Sequence, residues 1–120
     1  MNYPKAIGPY SAFYRTKELL FVSGQLGLEP ATMEFAGADA AAQARQSLKN
    51  LGEILKQNGL CYKSVVKTTI FLANIEDFAA VNEVYASFFS EPFPARSAVA
   101  VKALPKGGLV EIEAIASFKE

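Results

Sequence analysis

Apolar and polar positions along the chain change period several times. Residues 11–25, SAFYRTKELLFVSGQ, set Phe13, Leu19, Phe21 and Val22 among polar neighbours and predict two short strands joined near Thr16-Lys17. The following LGLEPATMEFAG is a connection rich in turn residues. From about 38 to 58 the period becomes helical: Ala41, Ala44, Leu48, Leu51 and Leu55 step by three and four and form one stripe. Asp39 stands near the start, where a carboxylate suits the helix dipole, and Asn58-Gly59 offers a left-handed C-cap. SVVKTTIFLAN is rich in β-branched residues and predicts a strand from about 64 to 73. Phe78, Val81, Tyr85 and Phe88 then restore helical spacing, with Glu76 and Asp77 at the amino end. Glu91-Pro92 is expected to end that helix, because a residue before proline avoids the α region. Strands at about 96–103 and 109–118 complete the chain, joined by the turn or short loop LPKGG.

The order ββαβαββ predicts an α+β fold: one sheet, with two helices packed on one face. The other face should carry Thr69 and Phe71, or their alternates, and a partly apolar uncovered face calls for a partner. A homo-oligomer follows, its sheets packed around a shared interior and its site between subunits. In the last strand, alternation gives Val110, Ile112, Ala114 and Ala116 to the helices and Glu111 and Glu113 to the opposite face. Charges there are costly unless paired or functional. They could pair with Lys67, Lys102 or Arg96, or sit at a wet edge. Arg96, in FPARSAVAV, poses the same choice between a salt bridge and a planar fork that grips a small carboxylate. The residues alone leave both choices open.

Composition narrows the chemistry. The 120 residues fit a single domain, 1–120, able to bury roughly two-thirds of its unfolded surface. Twelve basic and 12 acidic residues give zero net charge, with no basic tract to follow a phosphate backbone, so no nucleic-acid partner is expected. With no histidine there is no Ser-His-Asp triad, no Cys-His pair and no His-bearing zinc site. The single Cys61 reads as a small apolar residue, with a reactive thiol as the alternative, and suits a reducing compartment. MNYPKAIGPYSA lacks the apolar core of a signal peptide and no run is long enough to span a membrane, so a cytoplasmic protein is expected.

AIGPYSA, FVSGQLGL, AAQARQSLKNL, VVKTTIFLANIEDFAAVNEVYASFF, FPARSAVAV and VEIEAIA together resemble the Rid family, the reactive-intermediate (imine) deaminases also called the YjgF or L-PSP family. The motifs fall in the family's order over about residues 4–117. The resemblance implies a chorismate-mutase-like fold and a homotrimer with three clefts between neighbouring subunits. It implies hydrolysis of reactive 2-imino acids or their enamines, such as 2-iminobutanoate and 2-iminopropanoate, to 2-keto acids and ammonia. No metal or other cofactor is implied.

Carried over residue by residue, Arg96 of PARS would clamp the substrate carboxylate, and Glu111, the first glutamate of EIEA, would bind and orient the attacking water. Tyr10 of IGPY would wall the pocket, Ser23 and Gly24 of SGQ would line it, and Asn82 of AVNEVY would form its polar edge. Two departures bear on specificity. Ala98 stands where many relatives carry cysteine, and the loop SEPFP before Arg96 is shorter than in many of them. Imine hydrolysis needs no covalent thiol, so the chemistry should survive while pocket size and rim change. Two other functions compete: a non-catalytic trimer that binds small carboxylates or 2-keto acids, and a ribonuclease or translation inhibitor, as reported for relatives.

Overall fold

The computed structural model describes residues 2–119. Its strands are β1 (Phe13–Arg15), β2 (Leu19–Leu26), β3 (Val65–Leu72), β4 (Ala95–Ala100) and β5 (Val110–Ser117). They form one mixed sheet in the order β1-β2-β5-β3-β4, antiparallel throughout except for the parallel pair β3–β4. Helices α1 (Ala40–Gln57) and α2 (Phe78–Ala86) both cover one face, giving the α+β architecture expected from the pattern. The segment between β4 and β5 is no hairpin, because β3 lies between those two strands.

Alternation decides what the helices cover. Val110, Ile112, Ala114 and Ala116 are all buried and meet Leu48, Leu51 and Leu55 of α1. Each large side chain enclosed there contributes about 1.5–3 kcal/mol by leaving water. Asp39 caps α1 by accepting from the Ala42 amide at 2.8 Å. At the other end Gly59 takes φ +74°, and the Leu60 and Gly59 amides bond back to Leu55 and Lys56, closing a Schellman motif.

Three expectations need correction. Helix α2 stops at Ala86, not at Glu91-Pro92, so Phe88 lies outside it. The chain turns there to place Phe89 on the Tyr85 ring, 4.5 Å between centroids, and both phenylalanines edge-on to Tyr62. Strand β4 ends at Ala100 because it is an edge strand whose only partner, β3, ends at Leu72; the bond from the Val101 amide to the Leu72 carbonyl is the last. Cys61 is exposed instead of packed, and leads into a 3₁₀ turn at Tyr62–Ser64.

The face away from the helices carries Phe21, Thr69, Phe71 and Val99, as expected of an uncovered and partly apolar surface. Phe21 and Val99 remain 40% and 44% exposed. Among the described residues no helix is long and apolar enough to cross a membrane.

Candidate active site

The site begins with an irregularity in β2. Val22 pairs with Ala114 but Gln25 pairs with Ile112, so Ser23 and Gly24 together oppose a single residue of β5. Such a bulge re-aims side chains and recurs beside active sites. Here it leaves backbone beside Glu111. A Cβ on Gly24 would stand 2.7 Å from the Glu111 carboxyl carbon, closer than carbon atoms can approach. Glycine is therefore the residue that lets this carboxylate lie flat against the strand. The Ser23 hydroxyl donates to the Ser11 carbonyl at 2.6 Å, tying the N-terminal segment over the bulge and bringing Tyr10 to the rim.

Tyr10, Ser23, Gly24 and Glu111 thus share one cleft of about 310 Å³, whose apolar walls include Ile7, Leu26, Leu28 and Met33. Glu111 is half-buried and has no ion pair; the one salt bridge among the described residues joins exposed Lys119 and Glu18. Its carboxyl pKa is raised above the ordinary value, chiefly because burial strips water from it and secondarily because Glu113 repels its negative charge. A carboxylate in that condition is a stronger base than an exposed one.

The wall of this cleft is held by residues that sequence reasoning passed over. Gln43, Ser47 and Asn50 follow the same three-and-four spacing as the apolar stripe of α1, and all three are buried. The Ser47 hydroxyl donates to the Gln25 carbonyl at 2.6 Å, and the Asn50 amide to the Leu28 carbonyl at 2.9 Å. Gln43 donates to the Gly37 carbonyl at 3.0 Å and accepts from the Leu109 amide at 2.9 Å. Among the described residues no buried polar side-chain atom lacks a partner. This second stripe fastens the end of β2 and the loop after it, which carry Leu26 and Leu28 into the cleft. Its signal in the sequence was three polar residues at helical spacing beside an apolar stripe.

Arg96 and Asn82 are elsewhere. Arg96 pairs in register with Thr68, whose side chain is fully buried under the helices, whereas Glu111 pairs with Phe71 on the open face. The sheet therefore stands between the two charged groups. The Arg96 side chain reaches α2, where Nη1 donates to Asn82 Oδ1 at 2.7 Å. These two residues line a second cleft of about 410 Å³ with Tyr85, Ala86, Phe93 and Pro94. No acid of the described chain pairs with the guanidinium. The expected ion pairs from Glu111 or Glu113 to Lys67, Lys102 or Arg96 do not form within the described chain. Ala98 lies two residues on along the same face as Arg96, packed against the core, so its side chain narrows neither cleft's opening.

Within one chain the six residues thus form two separate groups, one around Glu111 and one around Arg96. Gly24→Ala is expected to displace the Glu111 carboxylate by about 1 Å, a misplacement that can cost about 10²-fold in kcat. Because the clash is with the far end of a flexible side chain, melting should move little. Turnover assays beside thermal unfolding check this, and a parent-like kcat would free Gly24 of the role.

A model of the family described as Endoribonuclease L-PSP matches residues 1–118. The RutC family protein y4sK of Sinorhizobium fredii is 54% identical over 115 residues, 96% of this chain and 91% of that protein. A Capra hircus protein named 2-iminobutanoate/2-iminopropanoate deaminase is 51% identical over 113 residues, 94% of this chain and 82% of its own. Among solved structures, E. coli TdcF with bound serine matches with a TM-score of 0.91 at 43% identity, covering 97% of this chain and 93% of that one.

Proposed function

This chain belongs to the Rid (YjgF, L-PSP) family, and from that membership and the two groups of residues we propose that it hydrolyses 2-imino acids to 2-keto acids and ammonia. The reading assigns substrates such as 2-iminobutanoate and 2-iminopropanoate, bound in clefts of a homotrimer. The observation that carries it is the separation of Arg96 and Glu111 by the sheet, each facing a cleft and neither held, among the described residues, by an acid or base. A neighbour that lays its β4 edge, which carries Arg96, against the open sheet face of the next subunit can bring the Arg96 cleft of one to the Glu111 cleft of the other.

The chemistry asks little of the protein. A protonated imine carbon is already electrophilic, so three tasks remain: hold the carboxylate, exclude other nucleophiles and aim one water. Arg96 performs the first through charge-assisted bonds, each worth about 1.5–3 kcal/mol. Glu111 accepts a proton from the water as its oxygen bonds to C2. The proton then passes to the nitrogen, and as the C–N bond breaks the restored Glu111 carboxylate takes the remaining hydroxyl proton, releasing ammonia and leaving the keto acid. Positioned acid–base help of this kind contributes about 10²- to 10⁴-fold.

That E. coli TdcF was solved with bound serine supports a small amino-acid-like ligand for this chain. It equally favours a second reading, a binder of small carboxylates without turnover. The endoribonuclease description of the family finds less support in this chain, whose zero net charge provides no track for a phosphate backbone.

The test is keto-acid release from 2-iminobutanoate formed in situ by a dehydratase. Acceleration by the parent, lost in Glu111→Gln, is expected; saturable binding without acceleration would favour the binder. Two pH effects should accompany it. Since the base must be ionised, kcat should fall as pH drops through the raised Glu111 pKa. The folded state holds that proton more tightly than the unfolded state does, so the carboxylate's contribution to stability is complete below the unfolded pKa and is lost as pH rises through the folded one. Glu111→Gln should therefore melt higher than the parent at neutral pH, with the advantage gone in acid.

A further inference from the structure

Three side chains of α2 meet the Arg96 guanidinium, and only Asn82 does so by hydrogen bonding. Arg96 Cζ lies 4.9 Å from the Tyr85 ring centroid and 5.5 Å from that of Phe78. Phe78, Asn82 and Tyr85 are spaced by four and three, one stripe of the helix, so two aromatic rings and one amide oxygen face the same cation. We infer that Phe78 and Tyr85 form an aromatic seat that fixes the plane of Arg96, making Tyr85 a positioning residue for the substrate carboxylate. This rests on the role proposed for Arg96 above.

The seat is itself locked. The Tyr85 hydroxyl shares a hydrogen bond with Thr68 Oγ1 at 2.8 Å, between two buried side chains. Its ring stacks on Phe89 at an interplanar angle of 27°. Thr68 is the residue directly opposite Arg96 in the β3–β4 register, so the strand that sets the arginine's backbone also sets the ring beneath its side chain. Burial raises the Tyr85 pKa against the lowering effects of Thr68 and Arg96, which favours the neutral phenol. A neutral ring offers its face to a cation.

A guanidinium has five N–H donors in one plane. Asn82 takes one of them. With the plane set by the rings and one corner by Asn82, the remaining donors are left for a carboxylate entering the cleft that Arg96 shares with Phe93 and Pro94. Orientation is thereby settled before a carboxylate arrives, and less freedom is lost on binding. Lysine offers no plane for the seat to set.

Tyr85→Leu and Phe78→Leu remove one ring each. Both should raise KM for 2-iminobutanoate, and Kd for the product 2-oxobutanoate, by about three- to thirty-fold with kcat within about twofold. In NMR spectra of the parent the Arg96 side-chain resonances should lie upfield, shifted by ring current, and Tyr85→Leu should move them downfield, short of ordinary positions because Phe78 remains. Tyr85→Phe keeps the ring and should keep the shift, while lowering Tm because Thr68 loses its buried partner. A Phe78→Leu variant covers the case in which Tyr85→Leu fails to fold. Unmoved Arg96 resonances, or KM and Kd unchanged in both leucine variants, would overturn the seat. Absence of turnover in the parent overturns the deaminase reading alone, since 2-oxobutanoate affinity still reports on the seat.

Discussion

Arg96→Ala is expected to lower kcat/KM for 2-iminobutanoate by about 10²- to 10⁴-fold while leaving the oligomer folded. Two charge-assisted bonds to a carboxylate are worth about 3–6 kcal/mol together, and each 1.36 kcal/mol is tenfold in rate. Part of that is recovered by water entering the vacated cleft, which sets the lower bound. Stability should change little, because the side chain is exposed, sits on an edge strand and, among the described residues, hydrogen-bonds only to Asn82. Tyr85 keeps both its stacking on Phe89 and its bond to Thr68 when the arginine is gone. A fall in Tm beyond about 5 °C would mean that the arginine serves the fold. Arg96→Lys should restore only a small part of the lost activity, since an ammonium cannot make two parallel bonds to one carboxylate. Steady-state kinetics beside thermal melting and sizing separate these outcomes. A kcat/KM equal to the parent's would remove Arg96 from the site.

Much of this arrangement was legible in the chain, because periodicity reports burial directly. The stripe from Ala41 to Leu55 and Asn58-Gly59 at its foot predicted α1 and its C-cap, while Asp39, read only as suited to the dipole, turns out to cap the amino end. Alternation in β5 separated Ala114 from Glu113 correctly, since a residue's face depends only on parity along its own strand. Parity carries no information about neighbours, however. That β3 lies between β5 and β4, and hence that Arg96 and Glu111 fall on opposite faces, depends on register across three strands. The bulge at Ser23 and Gly24 was equally hidden. It is one extra residue relative to β5, and neither side chain announces it. Helix α2 misled for a different reason: Phe88 keeps the helical spacing, yet the chain unwinds so that Phe89 can stack on Tyr85. Tertiary packing outweighed local pattern at that point.

The polar stripe of α1 shows why function and fold are joined here. Gln43, Ser47 and Asn50 could have been apolar without loss of helix, but the loop after β2 would then leave its carbonyls unpaired against the core, at about 1–3 kcal/mol each. With them, the loop is pinned by side chains that are themselves buried. The wall facing Glu111 is thereby hydrogen-bonded to α1, the kind of support that aiming a single water requires.

Mixing two inactive variants should restore activity. If one cleft takes Arg96 from one subunit and Glu111 from its neighbour, an Arg96→Ala chain still supplies an intact Glu111 half and a Glu111→Gln chain an intact Arg96 half. In trimers assembled at random from equal amounts, each cleft draws the intact half from either side with a chance of one in two. About a quarter of the clefts are then whole, and the mixture should recover about a quarter of the parent's kcat per chain. The unmixed variants, refolded identically, should stay near background. A site contained in one chain predicts no recovery, because every chain in the mixture lacks one of the two groups. Native mass spectrometry of the mixture establishes that subunits have exchanged, so that an inactive mixture of confirmed hybrid trimers would refute the shared cleft. The sheet between Arg96 and Glu111 makes the prediction sharp: with the two groups on opposite faces of one chain, only a second copy can bring them to the same substrate.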